Sequence, residues 1–137
     1  MEGEIRMENG TTEKLTVNLN VIDLGYIDLL VGEGFYSNRT DFIKTAVRNQ
    51  LATHASDTKT LLTQKNKSSE LNVGIVGLTK GTLEKMKSNN KLIRLVVIGM
   101  LHIPKDVNIE LLQETVESLK VYGVCKCDNK IKEFYSL

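Results

Sequence analysis

The sequence predicts an α+β protein that combines an N-terminal strand-helix-helix unit with a small C-terminal α/β unit of βαβαβ order. Two observations predict this class. A short segment with a two-residue period is followed directly by two amphipathic helical patterns, and the second half of the chain alternates strand-like with helix-like segments. The 137 residues, of which 41% are hydrophobic, supply enough apolar material for a buried core. The expected boundaries are residues 1–12 for a flexible arm, 13–54 for the first unit, 55–70 for a polar linker rich in Ser, Thr, Lys and Asn, and 71–137 for the second unit.

The composition excludes several classes of protein. No apolar run approaches the roughly 20 residues that a membrane-spanning helix needs, and the first residues lack the basic and apolar parts of a signal peptide. Cys125 and Cys127 stand one residue apart, which is no disulfide framework and suits the reducing cytoplasm. The formal net charge is +1, and no segment is basic enough for charge alone to indicate a nucleic-acid partner. We therefore expect a cytoplasmic protein that does not bind membranes, and any contact with nucleic acid has to follow from geometry.

The period-two segment runs from Lys14 to Leu19 and predicts a half-buried strand. No hairpin partner precedes or follows it, and an unpaired strand leaves its backbone N–H and C=O groups without hydrogen bonds. About 40 residues of strand and helix also cannot bury enough surface to fold alone. Its apolar face consists of Leu15, Val17 and Leu19, and its polar face consists of Lys14, Thr16 and Asn18.

Two helical patterns follow the strand. The first runs from about Ile22 to Glu33 and is ended by Gly34. The second begins at Asn38, which forms a variant of the capping box with Asp41, and runs to about residue 54.

Three segments of the second half share a strand-like phrase that ends in glycine. These glycines are Gly77, Gly99 and Gly123, spaced by 22 and 24 residues, and helical patterns at 82–89 and 108–117 separate the phrases. Short connections between strand and helix imply parallel strands with right-handed crossovers. Because the spacing also lies in the range of leucine-rich repeats, the second unit is either a compact βαβαβ sheet or a set of solenoid-like repeats.

A second copy of the chain is the most economical partner for the lone strand. Two strands then pair antiparallel across a twofold axis, and the helices of both copies close a shared core beneath the ribbon. The polar face of such a ribbon fits the major groove of DNA. The free amide groups at the start of the second helix, together with its dipole, suit a phosphate beside the ribbon. The expected partners are double-stranded DNA and a second copy, with a higher oligomer left open.

The residues that carry a family resemblance are Lys14–Leu19 and Gly34–Arg48. The second segment is similar to the pattern G-x-Y-x-S-R-S-E-x-I-R-x-A-x-R, with Asn38 in place of the serine cap and Asp41 in place of the glutamate. Residues 13–54 therefore resemble the ribbon-helix-helix family of the Arc/MetJ/CopG type, whose members are dimeric DNA-binding proteins, usually repressors or antitoxins. By position, the resemblance implies base contacts from Lys14, Thr16 and Asn18 and phosphate contacts from Asn38, Arg39 and Thr40.

The sequence thus favours a transcriptional regulator, most simply a repressor acting in the cytoplasm on nucleoid DNA. Two alternatives belong to other classes. An antitoxin would use its C-terminal part to neutralise a toxin, and a structural assembly protein would polymerise through an exposed strand edge within residues 71–137.

The sequence contains no recognisable catalytic set, and we expect neither an enzyme nor a cofactor. Cys125 and Cys127 fall short of the roughly four ligands that a metal site needs, and the nearby Asp128 with the distant histidines makes a poor set. Packing against the core is the favoured interpretation of the two cysteines, and a metal or redox site is the alternative.

Overall fold

The structure is a computed structural model that describes residues 12–137, apart from the side chain of Asn66. Residues 1–11, which hold nearly all of the predicted arm, lie outside the described residues. The described chain is α+β with six helices and one three-stranded parallel sheet, so the predicted class is confirmed. None of these helices is long and apolar enough to cross a bilayer. In chain order the elements are α1 (Val21–Gly32), α2 (Arg39–Thr53), α3 (Ala55–Asn66), β1 (Glu70–Gly77), α4 (Lys80–Ser88), β2 (Ile93–His102), α5 (Ile109–Thr115), β3 (Val116–Lys126) and α6 (Asn129–Tyr135).

The chain forms two compact units that divide between Leu61 and Leu62. The first unit, Lys14–Leu61, contains α1, α2 and the first half of α3. Residues 62–137 of the second unit contain the end of α3 and every later element. The two predicted helices of the first unit are present, within one residue of their expected starts.

The segment predicted as a flexible linker is helical over most of its length. α3 begins directly after His54, the C-cap of α2, and its residues 55–66 include no glycine or proline that would end a helix. The carbonyl oxygen of His54 accepts hydrogen bonds from both the amide (2.9 Å) and the hydroxyl (3.1 Å) of Thr58. Residues 55–66 are therefore helical, and only residues 67–69 form the turn into β1.

The sheet of the second unit has its strands in chain order, β1-β2-β3, all parallel. α4 connects β1 to β2 and α5 connects β2 to β3, as the alternating pattern predicted. The side chains of Thr79 and Asn108 accept hydrogen bonds from the third amide of α4 and of α5, which fixes where both helices begin. The core lies between one face of the sheet and these helices, and its buried members are Leu78, Leu83, Ile93, Leu95, Val97, Leu101, Ile103, Val107, Leu111, Leu112, Val116, Leu119 and Ile131.

A stack of three glycines crosses the sheet at one level. Gly74, Gly99 and Gly123 are partners in the strand register, and all three have φ between 124° and 131°. The glycine of the first phrase that aligns with the other two is therefore Gly74 and not Gly77, which pairs with His102. The pattern of alternating apolar residues indicated the other register, because Leu71, Val73 and Ile75 alternate in step with Gly77, whereas the structure leaves Val73 and Ile75 exposed.

Candidate nucleic-acid interface

The segment that was predicted to read DNA lies at the start of the first unit. Residues 12–20 precede α1 and belong to no sheet of the described chain. All six side chains from Lys14 to Leu19 are exposed, including the apolar ones: Leu15 is 84% exposed, Val17 63% and Leu19 43%. Such exposure is costly for aliphatic side chains in water, since each loses about 1.5–3 kcal/mol relative to full burial.

The rest of the first unit is equally short of a core. Ile27 is its one buried residue within Lys14–Leu61. A cavity of about 340 Å³ opens beside it, lined by apolar side chains and Asp23. The exposed large apolar side chains of α1, α2 and the turn between them are Val21, Ile22, Tyr26, Leu29, Phe35, Ile43, Val47 and Leu51.

α1 is anchored at both ends by local hydrogen bonds. The side chain of Asn20 caps its start by accepting from the amide of Ile22 at 2.8 Å. Gly34, with φ +85°, continues the chain in the left-handed region after the helix, and the amide of Phe35 donates back to the carbonyl of Leu30 at 2.9 Å. The predicted stop at Gly34 is thus confirmed.

The start of α2 carries the capping chemistry that the sequence predicted, with one change of partner. Oδ1 of Asn38 accepts from the amide of Asp41 at 2.8 Å. The carboxylate of Asp41 reaches back to the amide of Ser37 at 3.0 Å, one residue earlier than in a standard capping box. The amides of Arg39 and Thr40 lie in the first helical turn, where no carbonyl of the same helix is available to them.

The guanidinium group of Arg39 has a partner that the sequence did not reveal. Nε and one terminal nitrogen donate to the two carboxylate oxygens of Asp28 on α1, both at 2.8 Å. The hydrogen bond from Arg39 holds the pKa of Asp28 below its ordinary value of 3.8, and the positive charge adds to this effect. Asp28 thereby positions Arg39, and the two residues are too far apart in sequence for any helical spacing to indicate the pair.

The turn and the outer side of α2 complete the candidate surface. Tyr36 packs edge-to-face on Phe42 with ring centroids 4.9 Å apart, so its ring holds the interhelical turn against α2. Lys44 and Arg48 are exposed on α2. The structure therefore places the predicted phosphate contacts at the start of α2, whereas the predicted base contacts precede α1 within the same unit.

The two cysteines lie in the second unit, where Cys125 is on β3 and Cys127 directly follows it. Their sulfur atoms are 3.2 Å apart, and both side chains are partly buried against the core. Desolvation raises the pKa of Cys127 to about 12, and the hydrogen bond with Cys125 adds to the shift. No group of three His, Cys, Asp or Glu side chains suited to a metal ion occurs among the described residues.

The first unit thus consists of an exposed segment followed by two helices with a capped turn between them. The chain belongs to the ribbon-helix-helix transcriptional regulator family, whose sequence profile matches residues 10–132. The predicted family is thus confirmed, and the match extends through the sheet, beyond the residues 13–54 that carried the resemblance. No curated protein and no solved structure matches the chain.

Proposed function

We propose that this protein is a sequence-specific DNA-binding regulator of transcription, a repressor, that acts as a homodimer through a two-stranded ribbon in the major groove. The observation that carries the proposal is the alternation of Lys14–Leu19, in which three exposed aliphatic side chains on one face oppose three polar side chains on the other. The family membership supports regulation of transcription over the antitoxin alternative.

The homodimer follows from the uncovered apolar surface of the first unit. A unit with a single buried residue lacks the core that would offset the entropy of ordering its chain. Antiparallel pairing of two copies of Lys14–Leu19 satisfies the backbone groups of both segments and turns Leu15, Val17 and Leu19 toward the helices. The cavity beside Ile27, lined by Leu19 and Phe42 among others, then receives apolar side chains of the second copy.

The polar face of this ribbon has the chemistry that reads base edges. Lys14 donates to guanine, Asn18 pairs with adenine through its amide, and the hydroxyl of Thr16 serves as donor or acceptor. Because each dimer carries the three residues twice across a twofold axis, the preferred operator is a palindrome.

The start of α2 supplies the backbone contacts to DNA. The amides of Arg39 and Thr40 and the side-chain amide of Asn38 donate to phosphate oxygens, and the positive end of the helix dipole strengthens these bonds. The guanidinium group of Arg39 is already paired with Asp28, so its contribution to this site is through the backbone amide.

The first test replaces two of the base-contacting side chains. Operators are selected from random duplex DNA with the full-length protein, and the affinity of the Thr16→Ala/Asn18→Ala variant is measured on the selected sequence and on a scrambled one. We expect the variant to lose the preference for the operator, by 10-fold or more, because each good base contact contributes about 1–3 kcal/mol of discrimination. The melting temperature should stay almost unchanged, since both side chains are exposed.

The matched control is Lys80→Ala, an exposed substitution in the second unit that should leave the preference intact. The proposal is overturned if random selection yields no preferred sequence, or if the Thr16/Asn18 variant retains full discrimination between operator and scrambled DNA.

A further inference from the structure

The glycine stack of the second unit has one member without a neighbour. A methyl group added to Gly99 would overlap the carbonyl oxygen of Gly74, and one added to Gly123 would overlap the carbonyl oxygen of Gly99. Only glycine lets two parallel strands approach so closely at this level. Gly74 adopts the same conformation, with φ +128°, yet apart from Gly74 and its two chain neighbours no atom of the described chain lies within 4 Å of a methyl group added there.

The two outer strands are therefore complementary to each other. On β2 and on β3, the glycine at this level lies against the carbonyl oxygen of the glycine on the preceding strand. Gly74 on β1 has the same open side, but no strand of the described chain lies beside it there. β3 lies at the opposite edge of the sheet and has at Gly123 the next glycine carbonyl in the series. A cavity of about 180 Å³ lies between this level of β3 and the segment that follows it, and its lining includes Gly123, Lys132 and Leu137.

The edge at β1 also lacks the features that keep sheet edges from pairing. Its eight residues, Glu70–Gly77, include no lysine, arginine or proline, and Val73 is 70% exposed. Natural edge strands are blunted by lysine, proline, bulges or a covering segment. The two strands also differ in charge. β1 carries only Glu70, which is paired with Lys91 at 3.6 Å, whereas β3 carries Lys120 and Lys126 in addition to Glu117, which is paired with Arg94. The two lysines of β3 disfavour contact of this edge with a second β3.

We infer that β1 of one copy pairs in parallel with β3 of a second copy, with Gly74 opposite Gly123, so that the sheet continues from chain to chain. The register of the sheet then places Val73 opposite Tyr122 of the second copy, as Val73 lies opposite Ile98 and Ile98 opposite Tyr122 within one chain. The contact is heterologous, since one copy uses β1 and the other uses β3. Such contacts leave a free edge at each end and build open assemblies. This interface does not depend on DNA binding.

The test is site-directed cross-linking in the full-length chain with Cys125→Ala and Cys127→Ala as the background. One protein carries Val73→Cys, a second carries Tyr122→Cys, and they differ in mass by a tag. Opposed residues of neighbouring strands lie about 5 Å apart, within the reach of a disulfide. With oxidised glutathione, we expect a disulfide-linked heterodimer in the mixture and little covalent dimer in either protein alone.

Two results would overturn the inference. The first is a covalent dimer of the Val73→Cys protein alone, which would show β1 pairing with β1. The second is the absence of heterodimer above the level given by Leu92→Cys with Tyr122→Cys. Leu92 is also exposed, at 55% against 70% for Val73, but it lies outside the strands. Circular dichroism of each variant confirms that it is folded before it is cross-linked.

A second measurement needs no engineered thiol. Light scattering of the wild-type protein should show a mass that rises beyond a dimer with concentration, and Val73→Lys should abolish this rise while Leu92→Lys retains it. A wild-type protein that remains a dimer at every concentration overturns the inference and leaves the proposed DNA binding untouched.

Discussion

Arg39 and Asp28 fix the geometry between the first two helices. The forked pair of hydrogen bonds, each 2.8 Å long, joins the start of α2 to the middle of α1. Both side chains are about half exposed, so solvent and salt screen the pair and its contribution to stability is modest. Its importance is positional, because the amides proposed to bind phosphate belong to the same turn of α2.

The pH dependence of this pair is testable. Because the pKa of Asp28 is lowered in the folded state, the stabilisation is present above its ordinary value of 3.8 and is lost as the pH falls through the lowered value. We expect Asp28→Asn to reduce the melting temperature near neutral pH, and the difference from wild type to vanish in strong acid. The measurement is thermal unfolding against pH for wild type, Asp28→Asn, Arg39→Ala and the double variant. Additive effects of the two single substitutions would show that the pair is uncoupled.

At the level of elements, the three strands of the sheet differ from the strand-like segment Lys14–Leu19 in whether the chain itself supplies their pairing partners. β1, β2 and β3 find their partners within the chain through short crossovers and need glycine where their backbones approach each other. The segment Lys14–Leu19 has the alternation of a strand but no partner among the described residues. In the proposed homodimer, the second copy supplies its partner strand.

The glycine stack predicts unequal effects of one substitution. Gly74→Ala should cost about 1–3 kcal/mol, which is the strain of a side chain at positive φ. Gly99→Ala should cost clearly more, because the same strain is joined by overlap with the carbonyl oxygen of Gly74. Denaturant unfolding of both variants in dilute solution measures the difference. Equal losses would show that β1 and β2 separate without penalty at this level.

At the scale of the whole molecule, the two units differ in how much of their apolar surface is buried within one chain. The second unit has a buried core of its own between the sheet and the helices, whereas the first unit leaves most of its apolar side chains exposed. If both proposed contacts form, a DNA-binding dimer carries two sheets, and each sheet can join another dimer. Such linkage would place several dimers side by side on neighbouring operators.

Shortening the chain tests whether the units act separately. A chain ending at Asn66 keeps α3 intact and removes the sheet. We expect a folded dimer that still binds the selected operator but shows no larger assemblies, because both β1 and β3 are gone. Circular dichroism, light scattering and an operator-binding assay measure the three properties. An unfolded or monomeric fragment would show that the first unit depends on the second for its fold.

Much of this architecture was predictable because it depends on local chemistry. The caps at Asn38 and Gly34 follow from hydrogen bonds within a few residues, and the alternation of strands and helices in residues 70–126 follows from periodicity. The helix at residues 55–66 was not predicted as an element of its own, because its polar composition resembles that of a linker. The absence of glycine and proline was the available signal for the helix.

The sequence by itself determined the family, the order of the elements from β1 to β3 and the two opposed faces of Lys14–Leu19, since these properties reside in the identities and spacing of neighbouring residues. Only the tertiary structure decided the alignment of Gly74 with Gly99 and Gly123 and the pairing of Arg39 with Asp28. Both depend on backbones and side chains from separate elements meeting in space. The physical reason is that close approach between strands and ion pairs between helices are set by how elements pack, which no local period encodes.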